Sequence, residues 1–102
     1  MPEHDFSALY EQYPAIIAQM AETFDSHEFI LRLAHQNQTL YVEALYAYRR
    51  SVHRGAVAPF RVVHQILSQR LNAHRDLVER IGDVDSEDIF GQIQRCAQWK
   101  KF

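Results

Sequence analysis

The sequence predicts an all-α fold, a small bundle of three main helices, on three observations. Apolar side chains recur at helical spacing along most of the chain. One helix start is written out in full at residues 24–29. Pro14, Gly55, Pro59 and Gly82 fall where helices would begin, break or end. The expected helices cover about 5–23, broken or kinked at Pro14, then 26–54 and 59–81. A short C-terminal helix or an irregular, wing-like tail follows over 86–99.

The first segment opens with Asp5 as a candidate N-cap, and Phe6, Leu9, Tyr10 and Tyr13 continue at helical spacing. Pro14 removes one hydrogen bond and clashes with the carbonyl four residues back, so a second helix with Pro14 in its first turn is favoured over a kink. The second segment starts best of all. Asp25 is placed to cap, Glu28 to complete the capping box, and Phe24 and Phe29 to form the hydrophobic staple. A helix over 26–54 would be about 43 Å long. Its apolar face runs through Phe29, Ile30, Leu33, Tyr41 and Ala44. Gly55 would end it, with Arg49, Arg50 and Arg54 at the negative pole of its dipole.

Two polar residues intrude on core faces. Asn37 lies seven residues from both Ile30 and Ala44, in the middle of the apolar arc, where a buried amide would fix register by demanding a partner. His74 falls in the same way among Phe60, Val63, Leu67, Leu71, Val78 and Ile81 on the third helix. Gly82 would stop that helix. Asp85 or Ser86 could cap a last one carrying Ile89, Ile93, Cys96 and Ala97, although Gly91 weakens it. The alternative there is a hairpin-like tail turning at Phe90-Gly91-Gln92.

A chain of 102 residues is read as one domain. With 47% apolar side chains and three glycines, disorder is not expected. No apolar run approaches the length of a membrane span, and Met1-Pro2-Glu3-His4-Asp5 lacks the basic and apolar regions of a secretory signal. A single cysteine cannot pair within the chain, so a reducing cytoplasm is the expected location.

Chemistry-bearing motifs are scarce. The six histidines make no zinc-protease or di-metal spacing, there is no cysteine pair, and no Gly-rich phosphate loop or nucleophile elbow occurs. No metal, cofactor or catalytic residue is expected, and the protein is read as a non-enzyme. Charge is uneven. Residues 1–28 hold six carboxylates and no Lys or Arg, whereas residues 49–75 hold six arginines and no carboxylate. Those segments either neutralise each other by packing or leave a basic patch.

Two function classes follow. Leu31, Val42 and Tyr46 are apolar residues on the polar side of the long helix and mark a possible interface. The leading expectation is therefore an interaction module that pairs with itself, as a homodimer in which Asn37 meets Asn37, or binds a protein partner. The alternative is nucleic-acid binding. Arg61, Gln65, Ser68, Asn72 and Arg75 share one face of the third helix, preceded by Arg49, Arg50 and Arg54, and could read a duplex groove while the arginines hold phosphates.

Overall fold

The computed structural model describes residues 4–102. Glu3, one of the six N-terminal carboxylates, lies outside them, as does the start of the segment read for a secretory signal. The chain is mixed α/β, not an all-α bundle. Two short helices, α1 (Ser7–Tyr10) and α2 (Tyr13–Gln19), lead into a strand, β1 (Thr23–Asp25). Helices α3 (Ser26–Gln36) and α4 (Gln38–Ala47) follow, then two minimal strands, β2 (Val52–His53) and β3 (Ala56–Val57). Helix α5 (Pro59–Arg70) ends in a 3₁₀ turn at Leu71–Ala73, and the chain finishes as a long hairpin, β4 (Val78–Glu87) and β5 (Ile93–Lys101). Among the described residues no helix is long and apolar enough to cross a membrane.

The capping box forms. Asp25 Oδ1 accepts the Glu28 N–H at 2.9 Å, and Glu28 Oε1 accepts the Asp25 N–H at 3.1 Å. Phe24 and Phe29 stack with ring centroids 6.2 Å apart. Pro14 sits in the first turn of α2, where its missing N–H costs nothing. The expected helix over 5–23 stops early, because residues 23–25 are extended and pair with β5.

The expected helix over 26–54 is two helices broken at Asn37 and is complete by Ala47. Asn37 (φ −136°, ψ 51°) leaves helical geometry, and its side-chain amide donates back to the Leu33 carbonyl at 3.1 Å. Asparagine competes in this way with the backbone ladder of a helix. It is half-buried and marks a joint, not a buried core position. Arg54 and Gly55 both have positive φ (52° and 80°) and make the turn between β2 and β3, so Gly55 caps no helix.

The third expected helix, over 59–81, ends at residue 70. Val63, Leu67, Leu71 and Val78 are buried as their spacing implied, whereas Phe60 and Ile81 stand 38% and 45% exposed. His74 lies beyond the 3₁₀ turn, half-buried against Tyr13 with ring centroids 5.4 Å apart, and its buried Nε2 has no hydrogen-bond partner among the described residues. Burial, with Arg70 adding to it, lowers its proton affinity.

The tail is not the expected short helix or irregular wing but a strand pair turning at Asp88–Gln92, as in the hairpin-like alternative. β5 is the central strand of an antiparallel sheet ordered β1-β5-β4. Trp99 faces Phe24 on one side and Arg80 on the other. A bulge between Arg80 and Gly82 interrupts the β4 register, and Gly82, at φ +151°, supplies the backbone conformation that a side chain would resist there. Trp99, Phe24, Phe29, Tyr13, Leu33 and Leu67 are central to one core shared by the helices and the sheet. Tyr13 closes it by donating its hydroxyl to the Leu67 carbonyl at 2.6 Å.

Candidate functional site

Helix α5 and the β4–β5 hairpin do not pack flush along their length. Between them, with the β2–β3 turn at one end, runs a cleft of about 610 Å³. That volume lies within the roughly 300–1,000 Å³ of ordinary ligand sites. Ser26, at the start of α3, reaches the cleft floor and ties both walls together. Its Oγ accepts from Trp99 Nε1 of β5 at 2.9 Å and from Ser68 Oγ of α5 at 2.8 Å.

The helix wall presents Phe60, Arg61, His64, Gln65 and Gln69, and the β2–β3 turn adds His53 and Arg54. The hairpin wall presents Phe90, Gln92, Gln94, Arg95 and Cys96. Asp88 builds the hairpin end. Its Oδ1 accepts from the N–H groups of Phe90 at 2.9 Å and Gln92 at 3.0 Å, and Gly91 adopts φ +79° to let the chain turn. Those amides, Gln92 first, hold the Asp88 carboxyl below the usual carboxylate range. The turn aims Phe90 across the cleft, where it meets Phe60 edge-on at 4.8 Å.

Electrostatics favour an anionic guest. Three arginines line the cleft against one carboxylate, Asp88. Among the described residues the ion pairs are Arg80–Asp83 and Arg95–Asp85, the second at 3.8 Å between exposed side chains. Among the described residues none of the six arginines between 49 and 75 forms an ion pair with a carboxylate. Arg70 lies over the Tyr10 ring at 4.3 Å and Arg49 over the Tyr46 ring at 4.1 Å.

His64 sits half-buried in the helix wall of the cleft. Burial, with His27 adding to it, lowers its pKa to about 4. Its Nε2 shares a 2.5 Å hydrogen bond with the Tyr41 hydroxyl, whose own pKa burial pushes up to about 12. The pair is uncharged across the physiological range.

The eight residues predicted to contact nucleic acid divide in two. Arg54, Arg61, Gln65 and Ser68 line the cleft, although the Ser68 hydroxyl is spent on Ser26. Arg49 and Arg50 sit in the turn after α4, Asn72 donates to the Gln69 carbonyl in the 3₁₀ turn, and Arg75 lies beyond it; these four are outside the cleft. Part of the α5 face is therefore one wall of a concave site. Sequence reasoning missed the opposite wall. Its only advance sign was the Phe90-Gly91-Gln92 turn. The predicted interface residues Leu31, Val42 and Tyr46 are 55%, 59% and 65% exposed. No family model, curated protein or solved structure matches this chain.

Proposed function

We propose that the protein is a non-enzymatic module that binds single-stranded nucleic acid in the cleft between α5 and the β4–β5 hairpin. One observation carries this reading: Arg54 and Arg61, which have no carboxylate ion-pair partner among the described residues, the half-exposed Phe60–Phe90 pair and four glutamines line the same cleft. Arginine forks match phosphate oxygens. Exposed aromatic rings offer stacking faces to any unpaired base, and glutamine amides pair donor and acceptor with base edges. The concavity selects a single strand, because the hairpin stands where the wall of a duplex groove would have to pass. The unpaired Cys96 fits the reducing cytoplasm in which such a module would work.

Fluorescence anisotropy with labelled single-stranded and duplex oligonucleotides tests it. Three phosphate contacts predict a log–log salt slope of about −2, and Arg61→Ala should reduce that slope by about 0.7. Phe90→Ala should weaken binding by about 1–3 kcal/mol, while Arg75→Ala, outside the cleft, should leave it unchanged. No binding of single strands at about 50 mM salt, or equal binding of duplex, would sink the proposal.

A second reading is self-association or a protein partner on the α3–α4 surface, favoured by the exposure of Leu31, Val42 and Tyr46. The helix break at Asn37 removes the continuous seam on which an Asn37–Asn37 pairing depended, so this reading rests on those three side chains.

A further inference from the structure

Beside the cleft, meeting it at Cys96, lies a donor set that the spacing rules for metals could not reveal, since it comes from three elements. Asp25 ends β1, His27 is in the first turn of α3, and Cys96 lies in β5. One ligand atom from each, a carboxylate oxygen, a ring nitrogen and Sγ, all fall within 4.8 Å of one another. The sheet register brings them together: Asp25 pairs with Gln98, two residues from Cys96, and the capping turn folds His27 back over the same strand. We propose that Asp25, His27 and Cys96 bind a divalent zinc-class cation, with the fourth coordination position open to the cleft.

Several features besides proximity support the site. The donors are of mixed hardness, one O, one N and one S, the combination that suits a borderline ion such as zinc better than magnesium or calcium. In a tetrahedral zinc site neighbouring donors lie about 3.3–3.7 Å apart, so the donors need approach by only about an ångström to enclose the ion. Asp25 has an oxygen to give. Its Oδ1 caps α3 by accepting the Glu28 N–H, and the same carboxylate carries a second oxygen. Charge balances as well, because a carboxylate and a thiolate neutralise a dication and the imidazole remains neutral.

The surroundings are those of a second coordination layer. The Ser86 hydroxyl lies 3.0 Å from His27 Nδ1, and the backbone N–H groups of His27 and Ser26 together with Ser86 act on the Cys96 thiol in the direction that favours its charged form. Such donors orient the ligands and stabilise a metal-bound thiolate. Without a cation, burial pushes the Cys96 thiol up, and the Asp25 charge adds to that. The metal replaces the thiol proton, so uptake near neutral pH releases about one proton. Cys96 and Ser26 both line the cleft, which leaves the open position facing any guest there. This site does not depend on what the cleft binds.

Cobalt(II) titration of the reduced full-length chain tests the proposal. Cys96 is the only cysteine, so a thiolate-to-cobalt charge-transfer band has a single possible source. The expected result is that band at one equivalent, with zinc displacing the cobalt. Cys96→Ser should abolish the band. Asp25→Asn, which keeps a good N-cap, and His27→Gln should each weaken zinc binding at least tenfold by calorimetry, with metal-free thermal melts close to wild type. If Cys96→Ser fails to fold, the Asp25→Asn and His27→Gln affinities decide. Absence of the band in the wild type, or affinities within twofold of it in Asp25→Asn and His27→Gln, would overturn the proposal and assign any residual binding to surface histidines.

Discussion

Ser26→Ala should cost far more stability than the loss of one hydroxyl suggests. Ser26 is 1% exposed, and its Oγ accepts from Trp99 Nε1 and Ser68 Oγ. Alanine fits the space but leaves the indole N–H without a partner in a side chain only 2% exposed. An unsatisfied buried donor costs about 1–3 kcal/mol, and the second hydrogen bond, from half-buried Ser68, which water can partly replace, adds about 0.5–1.5. The expected loss is about 2–4 kcal/mol, read from urea unfolding at unchanged m-value. A cycle with Trp99→Phe isolates the cause. Phenylalanine removes the orphaned donor, so Ser26→Ala in that background should cost at least about 1 kcal/mol less. A single-mutant loss below about 1 kcal/mol, or full additivity with Trp99→Phe, would refute the view that Ser26 ties the two walls of the cleft.

Much of the helical half was legible in the sequence because its signals are local. The capping box at Asp25 and Glu28, the staple at Phe24 and Phe29, and Pro14 and Pro59 in first turns are read from a few neighbouring residues. The break at Asn37 was not legible. The apolar spacing passes through it without a change of period, and the bond that stabilises the break, Asn37 to the Leu33 carbonyl, has the i to i−4 separation of a helical contact. The strands were disguised by the bulge. In β4 the apolar residues Val78, Ile81 and Val84 fall three apart, a helical spacing, because the bulge between Arg80 and Gly82 breaks the period-two alternation. Gly82 reads equally as a helix stop and as a bulge, and only pairing with β5 distinguishes them. Ile93, Cys96 and Ala97 deceived in the same way, at i, i+3 and i+4 on what is an extended strand.

The site divides along the same line. Arg54, Arg61 and Gln65 were legible because a helix and its preceding turn place them by local geometry. Arg95, Gln92, Gln94 and the Phe60–Phe90 contact depend on where the hairpin lies against α5, a tertiary fact with no local signature. The Asp25, His27 and Cys96 cluster is the extreme case. Its members are up to 71 residues apart in sequence (96 − 25), and antiparallel β1–β5 pairing alone makes them neighbours. A search by motif spacing is blind to a donor set assembled across a sheet. What the sequence did carry was the residue chemistry, since the unusual share of arginine and absence of carboxylate in 49–75 survive as a cleft wall with unpaired cations.

Two further outcomes follow from exposure and burial. If the α3–α4 surface self-associates, light scattering at micromolar concentration should give a dimer for the wild type and a monomer for Tyr46→Glu; a monomer in both ends that reading. The other outcome concerns pH. His64 has a folded pKa of about 4 against an ordinary value of 6.5, so between those values the unfolded chain binds more protons than the folded one. Stability is then fully present above pH 6.5 and is lost as pH falls toward 4. Between pH 7 and pH 5 the linkage amounts to about 2 kcal/mol. His64→Gln removes the titrating ring and keeps a group able to accept from Tyr41, so its urea midpoint should fall less over that interval by a corresponding amount. The comparison with wild type matters, because carboxylates and the other histidines titrate in both proteins and cancel in the difference. Parallel loss of stability in the two proteins would show that His64 is not the neutral, buried partner of Tyr41 and that the α4–α5 contact is held by apolar packing alone.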